Sequence, residues 1–282
     1  MFPSYRFYFF TLLALIGAAS ALANPADSWS AVRQPTHSAP EVIGGPAAGC
    51  LQGAQSLPPS GIGYQLMKLA RNRFHGHPSL IHYLQTLSKA LQSHGVGTLL
   101  IGDLSQPRGG PTPSMHRSHQ NGLDVDIWFW LLPRERRLTS EEVESLTAPS
   151  MLTTDRQGLD PSRWSEAQVT LLRLAAAPEE IERIFVSPFI KRALCDQESD
   201  RRWLHKIRPW WGHDDHLHAR LRCPAGDNLC QSQEPISPGD GCDEVDDWII
   251  TLNRPSSTSP SKPPRPPTPP PAVCQAVLHA PR

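Results

Sequence analysis

Two short stretches of the chain concentrate side chains that bind metals. "WWGHDDHLHARLRC" (residues 210–223) holds three histidines in six positions, and "HRSHQNGLDVDIWFW" (116–130) holds two more beside a pair of aspartates. Five of the 12 histidines fall in these two segments: His116, His119, His213, His216 and His218. Each segment contains a run that alternates polar and apolar residues, so residues two apart share a strand face. His216 and His218 lie on one face, with Leu217, Ala219 and Leu221 on the other. Asp124 and Asp126 share a face with Trp128 and Trp130, opposite Leu123, Val125, Ile127 and Phe129. His119 stands seven positions before Asp126, with Gly122 between them to let the chain bend. If the two strands are neighbours, His119, Asp126 and one of His216 and His218 converge. Two imidazoles and a carboxylate suit Zn²⁺, and three protein ligands leave a fourth position for water, the mark of a catalytic site. An isolated H-x-H reads as two histidines on a polar sheet face, and an isolated "DVD" as a solvated carboxylate pair. Their conjunction points to a metal.

The elements that must position these residues are legible around them. Leu80, Ile81, Leu84, Leu87 and Leu91 have helical spacing after Pro78, and Gly95 suits the helix end. "GTLLIGDLS" (97–105) and "IERIFVS" (181–187) read as strands. "SEEVESL" (140–146) and "SEAQVTLLRLAAA" (165–177) open like helices, the second with Ser165 and Gln168 in a capping-box pattern. "DRRWLHKIRPW" (200–210) reads as a short helix stopped at Pro209. Residues 24–63, rich in Pro, Gly, Ser and Ala, are expected to wrap the surface, and residues 254–273 to run as a proline-rich extended strap. The fold class expected is α+β: one domain over 24–282, its central antiparallel sheet carrying the metal site, flanked by helices and strapped by its two ends.

Composition narrows the function. The 282 residues carry 27 basic and 27 acidic side chains, so no basic field is present for nucleic acid or a lipid surface. Residues 1–23 have Arg6, an apolar run from Phe7 to Ala19, and Ala21 and Ala23 at an A-x-A-type site. They read as a cleaved secretory signal, too short in apolar length for a stable membrane insertion. Export places Cys50, Cys195, Cys223, Cys230, Cys242 and Cys274 in an oxidising compartment, where an even count favours three disulfides. Zinc ligation by cysteine is the competing use, and no pair has C-x2-C spacing. The turn-forming "PAGDNL" makes a local Cys223–Cys230 loop plausible. Trp128, Trp130, Trp210 and Trp211 flank the two motifs. We read them as core or homodimer packing before a groove for substrate. Arg108, in the loop ahead of His116, is placed to meet a substrate carboxylate.

"SHQNGLDVDIW" and "HDDHLHARLRCP" resemble the H-x6-D and H-x-H elements of the metallopeptidase group that includes lysostaphin-like enzymes, D-Ala-D-Ala peptidases and the hedgehog signalling domain. With "IFVSPFIKRALC", "DRRWLHKIRPWWGHDDHLHARLRCPAGD" and "GDGC", the chain more closely resembles the penicillin-insensitive murein endopeptidases, over nearly all of its mature length. The resemblance implies zinc on His119, Asp126 and His218, with His216 as general base. His213 and His116 correspond to two further active-site histidines. It also implies disulfides Cys50–Cys274, Cys195–Cys242 and Cys223–Cys230. The implied reaction is hydrolysis, without a serine nucleophile, of D-alanyl–meso-diaminopimelyl cross-link peptides of peptidoglycan in the periplasm. On that chemistry His213 is expected to act as an oxyanion donor, and Asp124 either to orient His119 or to serve as a strand-end carboxylate bonded to backbone. Asp214 and Asp215 place two acids where they can alter the pKa of His213 or His216. A D-Ala-D-Ala carboxypeptidase on the same scaffold, or a non-catalytic zinc-bearing wall-binding protein, are the alternatives.

Overall fold

The computed structural model describes residues 25–113, 117–254 and 268–281. The expected signal segment (1–23), His116 and most of the proline-rich strap lie outside the described residues. Seven helices are described: α1 (Pro25–Ser30), α2 (Pro78–Ser93), α3 (Ser140–Ser145), α4 (Glu166–Ala176), α5 (Pro188–Gln197), α6 (Val245–Leu252) and α7 (Cys274–His279). The strands begin with β1 (Glu41–Gly45), β2 (Ala48–Gln52), β3 (Gln55–Ser56), β4 (Ser60–Gly61), β5 (Tyr64–Leu66) and β6 (His75–Gly76). They continue with β7 (Leu99–Ile101), β8 (Asp124–Trp128), β9 (Ile181–Val186), β10 (Ile207–Pro209) and β11 (His216–Leu221). Seven of them form one sheet in the order β10-β9-β11-β8-β7-β5-β4.

The fold is α+β, and its sheet is mixed. It is antiparallel through β9, β11, β8 and β7, where the polar motifs sit, and parallel at β10–β9 and β5–β7. Alternation decides which side of the central pair meets the core. Val125, Ile127, Leu217, Ala219 and Leu221 share one cluster with Leu80, Leu84 and Leu91 of α2 and Leu171, Leu172 and Ala175 of α4. Helix α4 opens with the capping box foreseen, Ser165 and Gln168 each bonding back to the other's backbone. Cross-strand register places His218 opposite Asp126, Arg220 opposite Asp124 and His216 opposite Trp128. Directly opposed residues on one face are close enough for their side chains to interact.

Two segments depart from the sequence reading. Residues 41–52, expected on the surface, form the hairpin β1–β2 and bury Val42, Ile43, Cys50 and Leu51. Its alternation is hidden by glycines. Gly49 is required by crowding, since a Cβ there would stand 2.5 Å from the carbonyl oxygens of both Ile43 and Gly45. The stretch 200–210 forms a 3₁₀ turn (Arg202–Lys206) and then the edge strand β10, where Pro209 costs no ladder bond. Helix α6 ends at Leu252, ahead of the expected strap.

All three cysteine pairs are bonded: Cys50–Cys274, Cys195–Cys242 and Cys223–Cys230. The first ties α7 to β2. Arg108 reinforces it from inside: it is buried and donates through Nη1 to the carbonyls of Val277 (3.0 Å), Leu278 (2.9 Å) and Ala280 (2.8 Å). This corrects the expectation that Arg108 faces a substrate. It neutralises the carbonyl end of the last helix. Among the described residues, no helix is long and apolar enough to cross a membrane.

Candidate metal centre

β8 and β11 bring the two motifs together. His119, Asp126 and His218, all buried, offer one ligand atom each within 4.8 Å of one another. Asp126 Oδ1 is the hub, 3.3 Å from His119 Nε2 and 3.3 Å from His218 Nδ1. Of the two strand histidines that spacing left open, His218 completes the trio. His119 reaches it from a tight bend. Its own φ is 65°, in the left-handed region, and Gly122 follows at φ 79°. A non-glycine residue there is held by its surroundings. Here Asp124 Oδ2 accepts the His119 backbone N–H at 2.9 Å.

Asp124 is fully buried and reaches His119 at its backbone rather than its ring. It fixes His119 through the backbone, while its Oδ1 lies 3.1 Å from the ring Nε2 of His218. That turns His218 Nδ1 toward Asp126. Arg220 grips the same carboxylate, Nε to Oδ1 at 2.5 Å and Nη2 to Oδ2 at 3.2 Å. Burial alone raises the Asp124 pKa, but Arg220 and His218 outweigh it and hold the group far below the usual carboxylate range. Asp126 is likewise held well below its ordinary value, against burial, by His119 and His216. Two ionised carboxylates beneath two imidazoles suit a divalent cation.

His216 stands beside the trio, Nε2 3.6 Å from Asp126 Oδ1. Its Nδ1 bonds the carboxylate of Asp215, so in the neutral ring the proton is held there and Nε2 carries the lone pair. Among the described residues that buried Nε2 has no hydrogen-bond partner. Burial pulls the His216 pKa down, yet Asp126 and Asp215 outweigh it and the net shift is upward. Asp214, its chain neighbour, is engaged elsewhere, by Ser150 and by Arg156 at 3.0 Å. His213 sits behind, 4.9 Å from the His216 ring, with its Nδ1 2.7 Å from the carbonyl of Trp211. A carbonyl only accepts, so Nδ1 donates. Burial, then the neighbouring His216 and His218, lower its pKa to about 4. A neutral His213 therefore presents an acceptor at Nε2, which does not fit the expected oxyanion donor. Sequence reasoning missed Arg220. Its signal was present, two positions after His218 on the same face. The tryptophans divide: Trp128 is buried against Met67, Leu100 and Leu132, whereas Trp210 and Trp211 are exposed and pack on Trp248 at 5.6 and 5.1 Å.

Residues 42–279 match the sequence family described as penicillin-insensitive murein endopeptidase. The chain belongs to this family. It is 45% identical over 269 residues to a protein of that name from Klebsiella pneumoniae (strain 342), covering 95% of this chain and 96% of the relative. A protein of the same name from Haemophilus influenzae is 42% identical over 93% of this chain and 91% of its own. One from Yersinia enterocolitica is 42% identical over 95% of each. Membership in a peptidase family agrees with a buried His–Asp–His group at the sheet's polar face. The residues present fit a metal there: three donors of the right kind meet at one point, and the lone pair of His216 Nε2 faces the same carboxylate oxygen.

Proposed function

We propose that the protein is a zinc-dependent murein endopeptidase that hydrolyses the D-alanyl–meso-diaminopimelyl amide of peptidoglycan cross-links. The observation that carries this is the meeting of His119 Nε2, Asp126 Oδ1 and His218 Nδ1 beside an imidazole with a lone pair to use. His119, Asp126 and His218 would hold zinc, which when bound acidifies water toward a pKa of about 7 and polarises a carbonyl. His216 Nε2 takes the proton of the attacking water and delivers it to the leaving amine. Asp215 keeps the His216 proton on Nδ1 and stabilises the imidazolium formed in between. Asp124 and Arg220 keep the His218 ring aimed. His213, its proton committed to Trp211, supports the His216 ring. The same reading puts the mature protein in the periplasm, where this cross-link lies, after loss of residues 1–23.

Digestion of cross-linked muropeptides tests this. An endopeptidase turns dimers into monomers, and a chelator stops it. His216→Ala is expected to keep its zinc and lose about 10²–10⁴-fold in dimer cleavage. Terminal trimming alone would make the protein a carboxypeptidase, and full activity in His216→Ala would remove the base.

A further inference from the structure

One wall of the cleft beside His216 has no part in the hydrolysis just described. Lys68 and Arg71 border the same space, about 190 Å³, as Asp126, Trp128, Asp215 and His216. The backbone brings them there by a strained path. The 3₁₀ turn Leu69–Arg71 is bounded by Lys68 at φ 57° and Asn72 at φ 54°, both left-handed. Such conformations persist where neighbours impose them. Here the N–H of Met67 bonds the carbonyl of Ile101 at 2.8 Å, that of Lys68 the carbonyl of Val143 at 3.0 Å, and Asn72 Oδ1 accepts from His75 at 3.1 Å.

Arg71 is tied to the cleft wall through Asp103. Its Nη1 donates to Asp103 Oδ2 at 3.1 Å, and the carbonyl of Asp103 accepts the backbone N–H of Asp126 at 3.0 Å. The guanidinium is thus anchored one backbone bond from the hub of the metal centre. Asp103 does not need Arg71 for its own charge, because Arg73 donates to the same oxygen at 3.0 Å. About half of the Arg71 side chain (49%) remains open, with Nε and Nη2 available among the described residues. Lys68 donates to a neutral group, the carbonyl of Glu144 at 2.5 Å, and adds a second positive charge to the wall.

We propose that Arg71, assisted by Lys68, binds the substrate carboxylate next to the scissile amide and so selects cross-links in which that carboxylate is free. The inference rests on the cross-link reading above. In that linkage the acylated amine and a carboxylate of diaminopimelate share one carbon. Placing the amide at Asp126 and His216 therefore brings a carboxylate close to it. A planar guanidinium with donors left over pairs a carboxylate well and a carboxamide poorly.

The test compares two cross-linked muropeptide dimers, identical except that this carboxyl is free or amidated. The wild type is expected to cleave the free form with kcat/KM at least tenfold higher. Arg71→Gln is expected to lower that value at least tenfold, mainly through KM, leaving the two dimers within about twofold of each other. Arg71→Lys keeps part of the preference, and Lys68→Gln loses a smaller part. Zinc content and thermal unfolding of each variant check that the fold survives, as it should with Arg73 still on Asp103. A wild type that cleaves both dimers alike, or an Arg71→Gln that slows both equally, overturns the inference while the cross-link reading stands. A wild type that cleaves neither dimer refutes that reading and this inference with it.

Discussion

The chain contains the pattern His-x-His twice, and the two copies serve opposite ends. His75 and His77 flank Gly76 in β6 and the start of α2, and His216 and His218 flank Leu217 in β11. His75 and His218 are both buried, at 3% and 4% exposure. In the first copy the ring nitrogens are spent on the fold. His75 Nε2 donates to Asn72 Oδ1 at 3.1 Å and its Nδ1 accepts from Ser56 Oγ at 2.9 Å. His77 Nδ1 accepts the Ser79 N–H at 3.2 Å and caps α2, and its Nε2 meets a single carboxylate, Asp227, only at 3.8 Å. In the second copy the nitrogens face carboxylates: His218 lies between Asp124 and Asp126, and His216 between Asp215 and Asp126. Burial lowers the His75 pKa to about 4, while carboxylates carry His216 upward in spite of burial. A buried histidine is thus no signal by itself. The acids gathered around it are.

The largest effect should come from the second copy. His218→Ala removes one of the three proposed zinc ligands, and zinc should be lost on dialysis with dimer cleavage falling at least about 10³-fold, some 4 kcal/mol of transition-state stabilisation. His75→Gln, equally buried, should keep its zinc. Metal analysis of the two purified variants decides the contrast. Zinc retained in His218→Ala would break it.

How much of this was legible follows from what each residue type advertises. His119, Asp126 and the β11 histidines were readable because alternation and spacing put imidazole and carboxylate on matching faces. Spacing alone did not choose His218 over His216, because both share a face. The family resemblance chose His218, and the register places it opposite Asp126. Arg220 shares that face too, but an arginine binds no metal and drew no attention until its bonds to Asp124 were visible. Asp214 and Asp215 are neighbours pointing apart, so one engages Ser150 and Arg156 and the other His216. The β1–β2 hairpin escaped notice because Gly44, Gly45 and Gly49 interrupt its apolar pattern. The core helices α2 and α4 were plain from periodicity and caps.

A middle-sized effect belongs to His75 and is a matter of pH. Its folded pKa, about 4, lies below the ordinary 6.5, so between those values the unfolded chain binds more protons than the folded one. Stability from this group is complete above pH 6.5 and is lost as pH falls toward 4, on the order of 3 kcal/mol in all. Urea unfolding of wild type and His75→Gln at pH 7 and pH 4 isolates it. The stability difference between the two proteins should shrink by about that amount at pH 4. A difference independent of pH would mean that His75 titrates in the fold as it does in the unfolded chain, and the contrast with His216 would lose its electrostatic basis.

The smallest effect is expected at His77, and it sharpens the comparison because this residue touches both worlds. Its side chain caps α2, so His77→Ala should cost about 1 kcal/mol of stability. Its backbone N–H does something else: it donates at 3.0 Å to the carbonyl of Gly122, the bend that delivers His119 to Asp126. Alanine keeps that N–H. His77→Ala should therefore unfold slightly earlier in urea yet bind zinc and cleave dimers like the wild type, per folded molecule. A loss of zinc affinity in this variant would show that the imidazole itself, and not the backbone it carries, steadies the bend, and the first copy would then share in the chemistry of the second.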